Sequence, residues 1–178
     1  MSYPDPRYLG KSGEITAQFL TGEKEPDLII GSRAVVRYIA SGISTQGQFG
    51  LYHWEVKPNT PGANAHYHRT ISESFYILSG KVRLFNGESW IDAKTGDFLY
   101  VPQGGIHGFG NESDESATML ILFSPGAPRE GYFQALAEIA AGRKVSEEEF
   151  AEICIQHDNY LIDANSQALY QKLLAKNR

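Results

Sequence analysis

The chain has 178 residues, with 16 basic and 21 acidic side chains and a formal net charge of −5. This length suits one domain, and the mild acidity offers no general attraction to phosphate backbones, so we expect no nucleic-acid partner. The lone Cys154 excludes an internal disulfide and favours a reducing cytoplasm. Because no stretch has the apolar core of a signal peptide or a membrane span, we expect a cytoplasmic protein without a membrane partner.

The first two thirds of the chain predict β-structure. Residues 1–13 carry prolines and glycines without periodicity and are expected to form an N-terminal arm. Residues 14–125 contain short apolar or alternating runs separated by turn residues, which is typical of an antiparallel sandwich or barrel. Asn86-Gly87 predicts a type I′ hairpin, and residues 58–62 are expected to interrupt the ladder. The predicted strands are 15–20, 34–39, 49–56, 74–78, 82–85, 98–101 and 118–123.

The last third predicts helices. After residue 128 the apolar spacing becomes helical, so a first helix is expected from near Glu130 to Gly142. Ser146 and Glu149 have the spacing of a capping box, which predicts a second helix that runs to about residue 157. A third helix is expected over 166–176. Residues 129–178 are therefore predicted to form a C-terminal helical extension on an all-β domain, not an alternating α/β fold.

Four side chains have the types and spacing of a metal site. His66 and His68 are two residues apart, so on a strand their rings point to the same face, about 6.5 Å apart. Glu73 follows after a short turn, and His107 follows the turn at residues 102–105. Imidazole and carboxylate ligands together suit iron, manganese, nickel, cobalt, copper or zinc, and ligand type alone does not choose among these metals.

Three apolar residues are candidates for a substrate pocket. Phe75, Ile77 and Phe109 share strand parity with Glu73 or His107, which predicts that they line a cavity beside the metal ligands. Ordinary core packing explains the same parity equally well.

These segments resemble the two motifs of the cupin superfamily. The first motif is matched at four positions, and its leading Gly62 stands closer to the first histidine than the family pattern has it; the second motif is matched throughout. The resemblance implies a cupin jelly-roll barrel, or double-stranded β-helix, that holds one divalent metal ion inside. The matching residues are His66, His68, Glu73 and Gly80 in the first motif and Gly96, Pro102, Gly104, His107 and Asn111 in the second.

Within this superfamily the chain is similar to small bacterial proteins that resemble quercetin 2,3-dioxygenase, in which a Ser-Pro-Gly stop like residues 124–126 precedes a helical tail. This similarity implies a metal-dependent dioxygenase of an aromatic or enolisable small molecule, with Glu73 as both ligand and catalytic base. It also implies a homodimer. Metal-dependent isomerases, cyclases or decarboxylases and non-catalytic small-molecule-binding cupins share the same ligand pattern, so these alternatives stay open.

Overall fold

The computed structural model describes residues 2–176, in which short antiparallel strands precede three helices. The strands are β1 Leu28–Ile30, β2 Ala34–Ala40, β3 Gly50–Val56, β4 Thr60–Pro61, β5 His66–Tyr67, β6 Ser72–Ser79, β7 Lys81–Phe85, β8 Trp90–Lys94, β9 Phe98–Val101, β10 Gly108–Asn111, β11 Ala117–Ser124 and β12 Tyr160–Leu161. The helices are α1 Arg129–Ala140, α2 Glu147–Gln156 and α3 Ala164–Lys176. Met1 and residues 177–178, which belong to the predicted arm and extension, lie outside the described residues.

Two main sheets form the β-domain. The larger sheet has the strand order β1-β2-β3-β11-β6-β9, and the smaller has the order β4-β10-β7-β8. Every pairing is antiparallel, and strands that are distant in the chain lie side by side, as β3, β11 and β6 do. This arrangement confirms the predicted all-β fold of the jelly-roll type with a helical extension.

The hydrophobic core lies between these sheets. Trp54 on β3 and Phe75 on β6 both meet Phe109 of the opposite sheet, each with ring centroids 5.9 Å apart. Along β3 and β11 buried residues alternate with partly exposed ones, because successive strand side chains point to opposite faces. The two sheets therefore enclose one apolar interior. Its most buried members are Val36, Tyr52, Val56, Phe75, Ile77, Val82, Ala117 and Met119.

Helix α1 packs against the open side of this interior. Phe133 makes edge-to-face contacts with Tyr52 and Trp54, each at 5.2 Å between centroids. The Tyr52 hydroxyl donates a hydrogen bond to Glu130 Oε1 at 2.7 Å. Burial and this bond raise the pKa of Tyr52, so the phenol stays protonated and holds the helix to β3. The first turn of α1 is thus anchored in the core.

The remaining extension folds back onto the β-domain. Ser146 accepts a hydrogen bond from the Glu149 backbone N–H, which confirms the predicted start of α2. After α2, strand β12 pairs antiparallel with β5, so that Tyr160 lies opposite Tyr67 and Leu161 lies opposite His66. The extension therefore contributes a strand directly beside one of the predicted metal ligands.

Three local predictions were wrong. Residues 15–20 form no strand; Ile15 and Phe19 are largely exposed, because an apolar alternating run without a partner strand gains no hydrogen bonds. The Asn86-Gly87 turn is not a two-residue hairpin: Asn86 N–H donates to Ser89 O across a four-residue loop, and Gly87 has positive φ while Asn86 does not. Residues 58–62 do not fully interrupt the ladder, since β4 pairs with β10.

No helix between residues 2 and 176 combines the length and apolar character that crossing a membrane requires.

Candidate metal centre and its cavity

The four predicted ligand side chains converge on one buried point. Ligand atoms of His66, His68, Glu73 and His107 all lie within 4.8 Å of one another. Reciprocal backbone hydrogen bonds of 2.9 Å place His66 beside His107, and the two rings are 4.3 Å apart. Glu73 enters from β6 of the larger sheet, and its Oε2 lies within 3 Å of the Nε2 atoms of His68 and His107. The structure thus brings together residues that are up to 41 positions apart in the chain.

Each imidazole is oriented by a backbone carbonyl. His66 Nδ1 contacts Asn64 O at 2.7 Å, and His107 Nδ1 contacts Gly105 O at 2.9 Å. His68 Nδ1 contacts the carbonyl of Asp158 in the extension. Because a carbonyl can only accept, each Nδ1 carries a proton and each Nε2 is left to face the centre. This support of Nδ1 is the usual way in which proteins fix a metal-binding histidine.

The donor set fits a divalent transition metal. Glu73 Oε2 lies 2.9 Å from His68 Nε2 and 2.8 Å from His107 Nε2. If Nδ1 holds the proton, these are close contacts between lone pairs, so a further proton or a cation must lie among them. Three imidazole nitrogens and one carboxylate are a ligand set for zinc, iron, manganese, cobalt, nickel or copper, which agrees with the prediction from sequence.

Burial and mutual interaction shift the acidities of this cluster. Burial raises the pKa of Glu73, but the charge and hydrogen bonds of His107 and His68 outweigh it and hold that pKa well below its usual range. Burial lowers the pKa of His107, but the charge and hydrogen bond of Glu73 outweigh burial and raise that pKa above its ordinary value. Burial and the neighbouring His107 lower the pKa of His66 to about 3, so His66 is a neutral donor at physiological pH.

A cavity of about 430 Å³ opens onto the cluster. His66 and Glu73 form part of its wall, and the rest is mainly apolar and aromatic. The walls come from both the β-domain and the extension: Trp54 and Phe109 belong to strands, whereas Phe133 belongs to α1. A concave apolar site beside convergent polar groups is typical of small-molecule binding.

The predicted pocket residues divide between wall and core. Phe109 lies in the cavity lining. Phe75 and Ile77 are fully buried and are not part of the lining; Phe75 instead packs against the His107 ring, with centroids 5.9 Å apart. Ordinary core packing, the alternative explanation of their strand parity, therefore describes Phe75 and Ile77. Asn111 is fully buried and bonds the Val56 carbonyl, in keeping with a structural role.

Sequence reasoning missed the polar residues that the extension contributes. Arg129, the first residue of α1, is buried and lines the cavity, as does the buried Asn159. Asp158 lies beyond the cavity lining but contacts the segment that follows His68. An Asp-Asn pair after a predicted helix is a local turn signal, but nothing in it identifies partners 88 to 90 residues earlier.

Asp158 binds the first motif through both its backbone and its side chain. Its carbonyl accepts from His68 Nδ1, while its carboxylate accepts from the backbone N–H groups of Arg69 and Thr70 at 2.8 to 3.1 Å. The Thr70 hydroxyl adds a bond of 2.7 Å. On the other side of the ligand, Gly104 N–H donates to His68 O at 2.7 Å. The position of His68 is therefore fixed by the extension and by the second motif together.

Comparisons with known proteins agree with this fold and site. A family model described as "Cupin domain" matches residues 52–123. Quercetin 2,3-dioxygenase of Bacillus subtilis (strain 168) is 29% identical over 117 residues, which cover 61% of this chain and 34% of that protein. The chain thus spans about a third of that relative's length.

Two solved structures share the fold. An RmlC-like cupin from Shewanella frigidimarina NCIMB 400 has a TM-score of 0.53 at 19% identity, covering 62% of this chain and 93% of that one. The polyketide cyclase RemF from Streptomyces resistomycificus has a TM-score of 0.53 at 18% identity, covering 64% and 82%. At such identities the likeness extends to the fold alone. Residues 52–123 therefore match a cupin domain, and the chain resembles the quercetin 2,3-dioxygenase-like proteins.

Proposed function

We propose that this protein is a metal-dependent dioxygenase that acts on an aromatic or enolisable small molecule. The observation that carries the proposal is that His66 and Glu73, two of the four converging ligands, form part of the wall of an apolar cavity. A molecule in this cavity would therefore lie next to the proposed metal. The similarity to quercetin 2,3-dioxygenase over 61% of the chain supports the reaction class.

The Nε2 atoms of the three histidines and the Glu73 carboxylate would hold the ion. A bound iron, manganese, nickel, cobalt, copper or zinc ion would supply Lewis acidity and, where it is redox-active, reactivity toward dioxygen. The protein's part is to align the imidazoles with Nε2 facing the ion, which the carbonyl contacts at Nδ1 achieve.

We assign Glu73 a second role as the base. Its carboxylate lies in the cavity wall beside the proposed metal, where it could accept a proton from a substrate hydroxyl. The histidines are less suited to this role because each Nδ1 already donates to a carbonyl and each Nε2 faces the proposed metal. The proton would therefore move from the substrate oxygen to a Glu73 oxygen.

The aromatic wall would orient a flat substrate and exclude water. Trp54 makes edge-to-face contacts with both Phe109 and Phe133, so the rings hold one another in fixed orientations on the strand and helix sides of the cavity. Aromatic faces held in this way favour an aromatic or conjugated ligand. Because two of these rings come from the β-domain and one from α1, the extension is part of the binding wall.

Elemental analysis of the purified protein followed by oxygen-uptake assays tests this function. A panel of flavonols, simpler phenols and enols should include at least one compound whose turnover consumes dioxygen stoichiometrically. Glu73→Gln should abolish turnover, while the exposed Glu112→Gln, which removes a carboxylate far from the cluster, should not. Product formed equally well without dioxygen would instead indicate an isomerase, cyclase or decarboxylase, and saturable binding without product would indicate a binding protein.

We further propose a homodimer that pairs through β6 and β9. On the outer face of these strands Tyr76 lies opposite Phe98, and Tyr100 lies two residues further along; these side chains are 44%, 62% and 56% exposed. Strand β9 is also at the edge of its sheet, where unpaired backbone groups favour association. A reducing cytoplasm is the compartment we propose, because Cys154 is free and buried.

A further inference from the structure

A buried arginine in the cavity wall has no anionic partner. Arg129 is only 3% exposed, and its Nη1 donates to the carbonyl of His157. Within residues 2–176 its guanidinium forms no ion pair, and its Nε has no hydrogen-bond partner. Glu73 and Asp158 act on this charge through space, but no carboxylate of the described residues pairs with it directly.

This charge is costly where it stands. A cation that is withdrawn from water without a paired anion is strongly disfavoured, and burial lowers the pKa of Arg129. Arg129 is also the first residue of α1, where the helix dipole is positive and repels a cation. The rings of Phe123 and Tyr132, at 4.9 and 4.8 Å, offset part of this cost. A neutral side chain could make the bond to His157 O without that cost, so tethering α1 does not account for an arginine here.

Two further buried polar groups in the same wall lack partners. The indole N–H of Trp54 is a donor without an acceptor, and Asn159 Oδ1 is an acceptor without a donor, among the residues that the structure describes. Both side chains line the cavity and are less than a tenth exposed. Buried groups of this kind are usually satisfied by a partner, and a ligand with both an acceptor and a hydroxyl donor would supply one to each.

We infer that the substrate of this site is a hydroxylated carboxylate with a flat apolar skeleton, whose carboxylate pairs with Arg129. This inference rests on the proposed function only in that the substrate occupies the same cavity beside Glu73. Arginine pairs with carboxylates through charge-assisted hydrogen bonds, and the remaining N–H donors of Arg129 are available for them. With Glu73, Arg129 and a divalent ion, the site would have an excess of two positive charges, which a carboxylate ligand would reduce.

Equilibrium binding of 4-hydroxybenzoate and 4-hydroxybenzamide to the full-length, metal-loaded protein tests the inference. The two probes have the same ring and hydroxyl group and differ chiefly in charge. We expect calorimetric titration to show the acid bound about tenfold more tightly than the amide. Arg129→Gln should abolish that preference and Arg129→Lys should retain part of it. Lys144→Gln, which removes a charge from an exposed position outside the cavity lining, should leave it nearly unchanged.

If Arg129→Gln fails to fold, as circular dichroism would reveal, Asn159→Asp replaces it. This nearly isosteric change adds a carboxylate to the wall and should weaken binding of the acid about tenfold while sparing the amide. Equal affinities in the wild type, or a preference that survives the Arg129 and Asn159 variants, would overturn the inference. Repeating the titration after metal removal separates the two proposals: a preference that persists supports pairing with Arg129 even if oxygen-uptake assays reject the dioxygenase.

Discussion

Replacing Asp158 should weaken metal binding although this residue is not a ligand. Its carbonyl holds the His68 ring, and its carboxylate accepts three hydrogen bonds from Arg69 and Thr70, the residues that follow that ligand. Asp158 also has φ of +54°, a left-handed conformation that Asp, Asn and Gly adopt more easily than other residues. Asp158→Ala therefore removes the side-chain bonds and strains the backbone whose carbonyl orients His68.

The size of the effect follows from these contacts. Three partly exposed hydrogen bonds at about 0.5 to 1.5 kcal/mol each, with about 1 kcal/mol for alanine in the left-handed region, give a local destabilisation of about 2.5 to 5.5 kcal/mol. Loss of a residue that supports a metal ligand typically weakens metal affinity by about 10- to 100-fold, and we expect Asp158→Ala to fall in that range. Asp158→Gly should lose the side-chain bonds without the strain, and Asp158→Asn should lose least.

Competition for Zn²⁺ or Co²⁺ with a chromophoric chelator measures the affinity of each variant, and thermal unfolding in excess chelator measures the metal-independent part. The expected order of metal affinity is wild type, Asn, Gly and then Ala. An Asp158→Ala protein that binds the metal as tightly as wild type would refute the reasoning, because the extension would then have no influence on His68. If the Gly and Ala variants lose the same metal affinity, the lost side-chain hydrogen bonds alone explain the effect, and backbone strain does not contribute.

Three further predictions concern the ligands and the outer face. His68→Ala should lower metal affinity by about 100-fold or more with the β-domain still folded, measured by elemental analysis and circular dichroism, whereas His53→Ala on β3 should not. Metal uptake should displace a proton from His107, because Glu73 raises the pKa of this imidazole in the metal-free protein. The apparent metal affinity should therefore rise with pH from below 6.5 until the pH exceeds that raised pKa, and then stay constant. Calorimetry in buffers of different ionisation enthalpy should detect the release of about one proton. Phe98→Lys should convert the proposed dimer to a monomer in light scattering, while Ile43→Lys, a more exposed position in the loop between β2 and β3, should not; a wild-type monomer at all concentrations would exclude the dimer.

The ligand set could be predicted from the sequence because its geometry is local or nearly so. The two-residue spacing places His66 on β5 and His68 just after it on one side, and short turns place Glu73 near the start of β6 and His107 directly before β10. The rings do converge as that reasoning requires, with His66 and His68 centroids 5.0 Å apart. The start of α2 could also be predicted from the sequence, because the Ser146–Glu149 capping box spans only four residues.

Features that depend on distant partners could not be predicted. Residues 15–20 have the alternation of a strand but no neighbour to pair with, whereas β8 was missed because only Ala93 among its five residues is buried. Likewise, nothing near Arg129 in the sequence shows that its guanidinium would lie in a cavity whose wall includes residues of the distant strand β3. In each case the missing information is which surface the segment meets, and that is decided by the tertiary fold.

The metal ligands and the distinctive cavity residues come from different parts of the chain, so proteins that share the ligands need not share a reaction. The β-domain supplies all four metal ligands, whereas Arg129, Phe133 and Asn159, which distinguish the cavity wall, belong to the extension. Cupins with the same four ligands but other terminal segments would surround the metal with other charges and shapes. Changes at Arg129 should therefore alter which molecule binds without altering metal content, while changes at His68 should do the reverse. Because Asp158 links the extension to His68, it is the position where the two effects should appear together.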